Sequence, residues 1–102
     1  MTTIPKTLHY DQLPKTNLIE LKEGDSISLI TYKLPDGAKH DESDYIYSHE
    51  RLGIVKWVNS DGAFMAEMES VSGKVKRDHV FTVTQLNRVC FAGMAHVLHK
   101  LN

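Results

Sequence analysis

The 102-residue chain has little cysteine, little proline and no long apolar run. Its single cysteine, Cys90, excludes a disulfide within the chain. Nowhere do eighteen apolar residues stand together, as a membrane-spanning helix needs, and the first fourteen residues lack the apolar core of a secretory signal. Because a lone thiol is typical of reducing compartments, we expect a cytoplasmic protein.

Catalytic and cofactor motifs are absent as well. The six glycines stand apart from one another, so no glycine-rich loop is available to hold a phosphate. No nucleophile stands beside a base in a known local signature, and neither zinc-type pairs nor the ligand order of a calcium loop occurs. We therefore expect a protein that is not an enzyme and that has no cofactor and no metal site.

The composition predicts one small domain, since 41% of the residues are apolar and 25% are charged. Residues 1–24 contain Pro5 and Pro14 and are predicted to form an extended arm that precedes a single domain over 25–102. The arm is too apolar for a solvated tail. We expect it to cover an edge of its own sheet; alternatively, it exchanges with a second copy in a homodimer.

Four segments have the β-branched and aromatic content of strands: 26–34, 52–58, 63–69 and 74–83. Turns that end in Gly62 and Gly73 separate the last three, which predicts two hairpins. In the first segment, apolar residues occupy both odd and even positions, so they would lie on both faces of a regular strand. Either both of its faces are covered or a bulge exchanges them, and we favour the bulge.

The C-terminal residues 84–101 predict an amphipathic helix, because apolar residues recur there at spacings of three and four. Thr84 is the expected N-cap. Phe91 and Leu98 fall together on one flank of this helix, where a partner could dock. The apolar stripe comprises Leu86, Val89, Cys90, Met94, Val97 and Leu101.

These elements predict an α+β fold, in which a four-stranded antiparallel meander packs against the C-terminal helix. The strand spacing over about residues 25–83, together with the stretch Gly53-Ile54-Val55-Lys56-Trp57-Val58, resembles the small SH3-like barrels of Tudor and KOW type. That resemblance implies a closed barrel. An open sheet packed on the helix is the alternative.

The longest connection, residues 35–50, is acidic and is the expected functional loop. Residues 25–50 hold two basic and six acidic side chains, a net charge of −4, whereas residues 51–102 have a net charge of +3. We predict that the loop binds protein through carboxylates and tyrosines, unless the tyrosine triplet is a short edge strand on the core. The predicted contacts are Asp41, Glu42, Asp44, Tyr45 and Tyr47.

A nucleic-acid interface is the alternative, because basic residues near aromatic ones can contact phosphates and stack on bases. The candidate residues are Lys56, Trp57, Lys74, Lys76 and Arg77. The net charge of the whole chain is −1, which lacks the basic footprint of a dedicated nucleic-acid binder.

The sequence therefore predicts a non-catalytic protein-binding module. Such a module acts as a small regulator or inhibitor by occupying the surface of a larger protein, as phage-encoded inhibitors do. The partner would bind the acidic loop or the helix flank. A nucleic-acid-binding barrel and a self-assembling structural component are the two alternatives.

Overall fold

A computed structural model describes residues 4–39, 42–81 and 87–101 as one antiparallel sheet of seven strands. The strands are β1 (Thr7–His9), β2 (Ser26–Lys33), β3 (Asp44–Val58), β4 (Phe64–Glu69), β5 (Lys76–Phe81), β6 (Arg88–Phe91) and β7 (Met94–Lys100). Their order across the sheet is β5-β4-β3-β2-β7-β6, and β1 pairs with the start of β3. In this part of the chain β5 and β6 are edges that do not pair with each other, so the sheet is open rather than a barrel.

The two faces of the sheet are named here after residues of β2, the central strand. Side chains alternate between faces along a strand. Ile27, Leu29, Thr31 and Lys33 define the Ile27 face, whereas Ser26, Ser28, Ile30 and Tyr32 define the Ile30 face. The register assigns the residues of neighbouring strands to the same two faces.

The predicted α+β class and the C-terminal helix are wrong. No α-helix occurs in residues 4–39, 42–81 or 87–101, whose only helical element is one 3₁₀ turn over Tyr10–Gln12. Residues 88–100 form the β6–β7 hairpin, and Thr84 and Leu86 lie outside the described residues. Ala92 and Gly93 connect Phe91 to its partner Met94 with φ values of 54° and 74°. Two consecutive positive φ angles match a type I′ hairpin turn and interrupt any right-handed helix.

The prediction of four strands is also wrong, although the three-strand meander lies where the sequence placed it. β3 pairs with β4, and β4 pairs with β5, through turns that contain Gly62 and Gly73 with φ values of 94° and 76°. The additional strands are β1, from the arm, and β6 and β7, from the predicted helix. β3 also begins earlier than expected, at Asp44, so the connection after β2 spans only residues 34–43.

The bulge interpretation of the first strand is wrong for β2. β2 pairs with β7 without any shift, and six consecutive residues of β2 are buried, so both of its faces are covered. The shift opposite Thr31 and Tyr32 lies on β3, where Ser48 is the extra residue between His49 and Tyr47. A second shift on β3 makes Lys56 an extra residue between Val55 and Trp57.

The N-terminal segment crosses from one face to the other around the β6 edge. β1 pairs with residues 44–46 of β3, and the Tyr47 N–H donates to the Lys6 carbonyl at 2.8 Å. Farther along, the Asn87 N–H donates to the Asn17 carbonyl at 2.9 Å, and the Asn17 N–H donates to Asn87 Oδ1 at 2.7 Å. These bonds hold the segment against its own sheet.

This crossing produces two cores on opposite faces. On the Ile30 face, Leu13 packs with Ile30, Tyr32, Tyr45, Ala95 and Val97, and Ile4, Leu8 and Tyr10 extend that cluster. On the Ile27 face, Leu21 packs with Ile27, Leu29, Val55, Phe64, Ala66, Met68 and Leu98, with Ile19 beside them. The N-terminal segment therefore packs on a different half of each face, and the half on which no described N-terminal residue packs is called the open half.

Candidate functional site

The predicted protein-binding loop is divided between the surface and the core. Glu42 and Asp44 are exposed, whereas Asp41 lies outside the described residues. Tyr45 is 2% exposed, and burial raises the pKa of its hydroxyl. Tyr47 is half-buried, and its ring meets that of Tyr32 edge to face at 6.0 Å between centroids. The tyrosines are thus strand residues that pack on the core, and Glu42 and Asp44 are the exposed members of this set among the residues that the structure describes.

The predicted nucleic-acid residues do not form one patch. Lys74 lies in the β4–β5 turn, while Lys76 and Arg77 are neighbours on β5 and point to opposite faces. Lys56 Nζ lies 3.8 Å from Glu67 Oε2, so a carboxylate partly neutralises it. Trp57 is half-buried and pairs with Met65. The structure distributes these five side chains over the turn and both faces.

The predicted helix flank of Phe91 and Leu98 does not exist, because the two residues occupy different strands. Phe91 is 74% exposed at the end of β6, whereas Leu98 is buried in β7 against the core of the Ile27 face. The register puts both side chains on the Ile27 face, but they lie at opposite ends of the β6–β7 hairpin.

The open half of the Ile30 face carries large aliphatic side chains. Leu52, Ile54 and Val80 are 42%, 49% and 46% exposed. Their positions on β3 and β5 flank β4, so they belong to one continuous surface. A groove of about 220 Å³ crosses this surface; its lining includes Leu52, Ile54, Glu67, Glu69, Lys76 and Leu101. We call this surface the aliphatic face.

Acidic side chains divide the aliphatic face. Glu67 pairs directly with Ile54 on one side and with Asp78 on the other. Two carboxylates at directly opposed positions repel each other. Glu67 has Lys56 as a neighbour at 3.8 Å, while Asp78 has no ion-pair partner within the described ranges. The row therefore has an excess of negative charge beside apolar surface.

β5 borders the aliphatic face as an edge strand. It pairs with β4 along all six residues, and no strand among those described pairs with its outer side. Five of its six residues are exposed. An antiparallel strand directs about half of its backbone N–H and C=O groups away from its single neighbour. The outer side of β5 therefore offers backbone hydrogen bonds next to Val80.

The open half of the Ile27 face has a different chemistry. Thr31 lies between His49 of β3 and His96 of β7, and its hydroxyl is 3.1 Å from His96 Nδ1. The Ser48 hydroxyl is 2.9 Å from His49 Nδ1. Burial and the charge of Arg51 lower the pKa of both imidazoles. This half of the face thus holds histidines beside a cation.

Sequence reasoning missed His49, Arg51 and His96 as a group, because β3 and β7 bring them together across β2 and residues 84–101 were predicted to form a helix. One local signal was present: in an extended segment, His49-x-Arg51 places both side chains on one face. The aliphatic face had a similar signal in the alternation of Leu52 and Ile54.

Two searches of the described residues were negative. They contain no group of three or more His, Cys, Asp or Glu side chains arranged to hold a metal ion. No helix found in them has the length and apolar character required to cross a membrane.

Comparisons with known proteins provide no further identification. The chain matches no protein-family model, no curated protein and no solved structure, so its likeness to SH3-like barrels has no support and no relative points to a regulator, an inhibitor or a viral origin.

Proposed function

We propose that the protein is a non-catalytic protein-binding module that uses the aliphatic face and the β5 edge. The observation that carries this proposal is the exposure of Leu52, Ile54 and Val80 on one face of the sheet, beside a strand edge that no described strand pairs with. Exposed apolar patches of this kind mark interaction sites more often than isolated apolar residues do.

The partner that fits this surface is an extended segment of another protein. Such a segment can add to β5 as a further strand, and its backbone then satisfies the outer hydrogen-bonding groups of the edge. Alternate side chains of the added strand would point to the Ile30 face, where Val80 lies. The side chain opposite Val80 should be apolar so that it extends the aliphatic face.

The charges select a basic segment. Asp78 lies on β5, the strand to which the partner would add, and it opposes Glu67 on the inner side. A Lys or Arg opposite Asp78 would relieve this repulsion and contribute a cross-strand ion pair. The proposed ligand is therefore an extended peptide in which an apolar residue and a basic residue stand two positions apart, so that both side chains reach the Ile30 face.

A displayed library of random twelve-residue peptides tests this proposal. We expect the protein to select peptides in which an apolar residue and a Lys or Arg stand two positions apart. Fluorescence anisotropy with selected peptides should show weaker binding to Ile54→Ser and Asp78→Asn, with Leu18→Ser as the matched control at an exposed apolar position of the arm. Both test side chains are exposed, so their replacement should have little effect on folding.

Other outcomes contradict this assignment. If the double variant Glu42→Gln/Asp44→Asn loses peptide binding, the binding site lies in the acidic loop instead. If no peptide is enriched, the proposal that the protein is a protein-binding module is wrong. Dimerisation of the full chain at micromolar concentration without peptide, measured by light scattering, would favour self-assembly instead.

The cytoplasm is the compartment that we propose for this activity. Cys90 is exposed, and a reducing environment keeps an accessible thiol from forming bonds between chains.

A further inference from the structure

The sheet separates its charges by face. β2, β4, β5 and β7 contribute no carboxylate to the Ile27 face, and β3 contributes none between His49 and Val58. Four strand carboxylates, those of Glu50, Glu67, Glu69 and Asp78, belong to the Ile30 face. The basic side chains of the Ile27 face are Lys33, His49, Arg51, Arg77, His79, His96 and Lys100, of which Lys100 pairs with Asp25 at 3.4 Å. One face of the sheet is therefore basic despite the nearly neutral chain.

Arg51 is the residue in this group that most requires a ligand. It lies two positions from His49 on the same face, and it pairs with Leu29. Its Nε is buried and has no hydrogen-bond partner. No carboxylate of the described chain lies within ion-pair distance of its guanidinium. A buried donor on a charged group is costly when it is unsatisfied.

The two histidines are oriented by neighbouring hydroxyls. Thr31 is 1% exposed, and its hydroxyl meets His96 Nδ1, while the Ser48 hydroxyl meets His49 Nδ1. When each hydroxyl donates to Nδ1, the neutral ring carries its proton on Nε2. Each imidazole then has one free donor, and protonation adds a positive charge to that donor without changing its position.

We propose that the Ile27 face binds a phosphate-type oxyanion between the guanidinium of Arg51 and the Nε2 atoms of His49 and His96. A phosphate monoester or inorganic phosphate presents three or more oxygens in a tetrahedral arrangement, which suits three donors that approach from β3 and β7. A single carboxylate has two oxygens in one plane and matches only the guanidinium fork.

The electrostatics support this site. Arg51 and Lys33 act on His49, whereas Arg51 and His49 act on His96; every one of these charges lowers the pKa of the imidazole that it faces. No carboxylate contributes to either environment. A bound dianion would reverse this effect, because an opposite charge stabilises the protonated ring.

This site is separate from the proposed peptide surface, since Arg51 and the two histidines lie on the opposite face from Ile54 and Asp78. The Lys56 and Lys76 side chains of the predicted nucleic-acid set also belong to that other face. A variant that no longer binds phosphate should therefore still bind peptide, and a variant that no longer binds peptide should still bind phosphate.

Titration of the full chain with inorganic phosphate tests the proposal. The imidazole nitrogen and carbon resonances are recorded by NMR at constant ionic strength, with chloride as the balancing anion. We expect saturable shifts for His49 and His96 and higher pKa values for both at saturation. His99 lies on the Ile30 face opposite Ser28 and should not respond, so it serves as an internal control.

Arg51→Gln should weaken phosphate binding by at least about tenfold, because it removes charge-assisted hydrogen bonds. Arg88→Gln is the matched control, since Arg88 lies on the Ile30 face above the Tyr10 ring. His96→Gln should weaken binding as well and replaces the arginine variant if that variant does not fold. Equal affinity in the wild type, Arg51→Gln and His96→Gln would overturn the site.

Two further ligands distinguish the classes of anion that could bind at this site. Acetate should bind more weakly than phosphate, and equal affinity would contradict a tetrahedral ligand. A single-stranded oligothymidylate tests the macromolecular alternative. If it shifts His49 and His96 while inorganic phosphate does not, the small-anion proposal is wrong and the basic face belongs to nucleic acid.

Discussion

The β4 and β7 strands occupy comparable places, each one strand inside an edge of the sheet, yet their sequences look different. β4 alternates between buried and half-buried residues because only its Ile27 face is covered. β7 buries Ala95 and Val97 on the Ile30 face and Leu98 on the Ile27 face. Coverage on both faces removes the two-residue alternation, and the remaining apolar residues can then match a helical spacing.

The sharpest test of this contrast is a pair of adjacent substitutions in β7. Leu98→Ala should lower the free energy of unfolding by about 2–5 kcal/mol, because it leaves a cavity in a packed core. Val97→Ala should also be destabilising, by about 1.5 kcal/mol, since it removes buried apolar groups from the opposite face. Urea denaturation measures both effects.

β4 provides the control for that experiment, because two methionines lie on its opposite faces. Met68→Ala should cost about 2–5 kcal/mol, since Met68 belongs to the core of the Ile27 face. Met65→Ala should cost less than about 1 kcal/mol at its half-buried position. Similar costs at Met65 and Met68, or a negligible cost at Val97, would remove the distinction between the two strands.

A smaller effect is expected at the turn that makes β7 a strand. Gly93 has a φ of 74°, so Gly93→Ala should destabilise the protein by about 1–2 kcal/mol through backbone strain. No atom lies within 4 Å of an added Cβ, so a steric clash would not contribute. Thermal unfolding provides the measurement.

A substitution at the neighbouring residue of the same turn should have the opposite effect on stability. Ala92 has a φ of 54°, and Ala92→Asn should raise stability by a few tenths of a kcal/mol because Asn tolerates this region better. In a helix, alanine would be preferred over glycine at 93 and over asparagine at 92. Stabilisation by Gly93→Ala with destabilisation by Ala92→Asn would therefore contradict the hairpin.

The smallest expected effect is on the pH dependence of stability. The pKa values of His49 and His96 lie below the ordinary value of 6.5 in the folded protein. The unfolded chain therefore binds protons first, and stability should fall as pH drops below about 6.5 toward the folded pKa values. The groups that face these rings are Arg51, Lys33 and the hydroxyls of Thr31 and Ser48.

Thermal unfolding in a phosphate-free buffer measures this dependence. The double variant His49→Gln/His96→Gln should lose less stability between pH 7.5 and pH 5.5 than the wild type does. His99→Gln, a change of the exposed histidine on β7, should leave the wild-type slope intact. An unchanged slope in the double variant would show that other groups cause the acid sensitivity.

Local chemistry accounts for the parts of the fold that could be predicted. The turns at Gly62 and Gly73 and the alternation of β4 are properties of short segments, so the meander was visible in the sequence. The candidate sites were not visible. His49, Arg51 and His96 are separated by up to 47 residues, and only strand pairing places them on one face.

The sequence by itself determined the meander and the shortage of catalytic and metal-binding motifs, because those features depend on neighbouring residues. Tertiary structure alone decided that residues 88–100 form a hairpin, that Tyr45 is buried and that charge is separated between faces. The reason is that backbone hydrogen bonds in a sheet join distant residues. A segment whose apolar residues fit both a helix and a strand adopts the structure for which the rest of the chain supplies backbone hydrogen-bond partners.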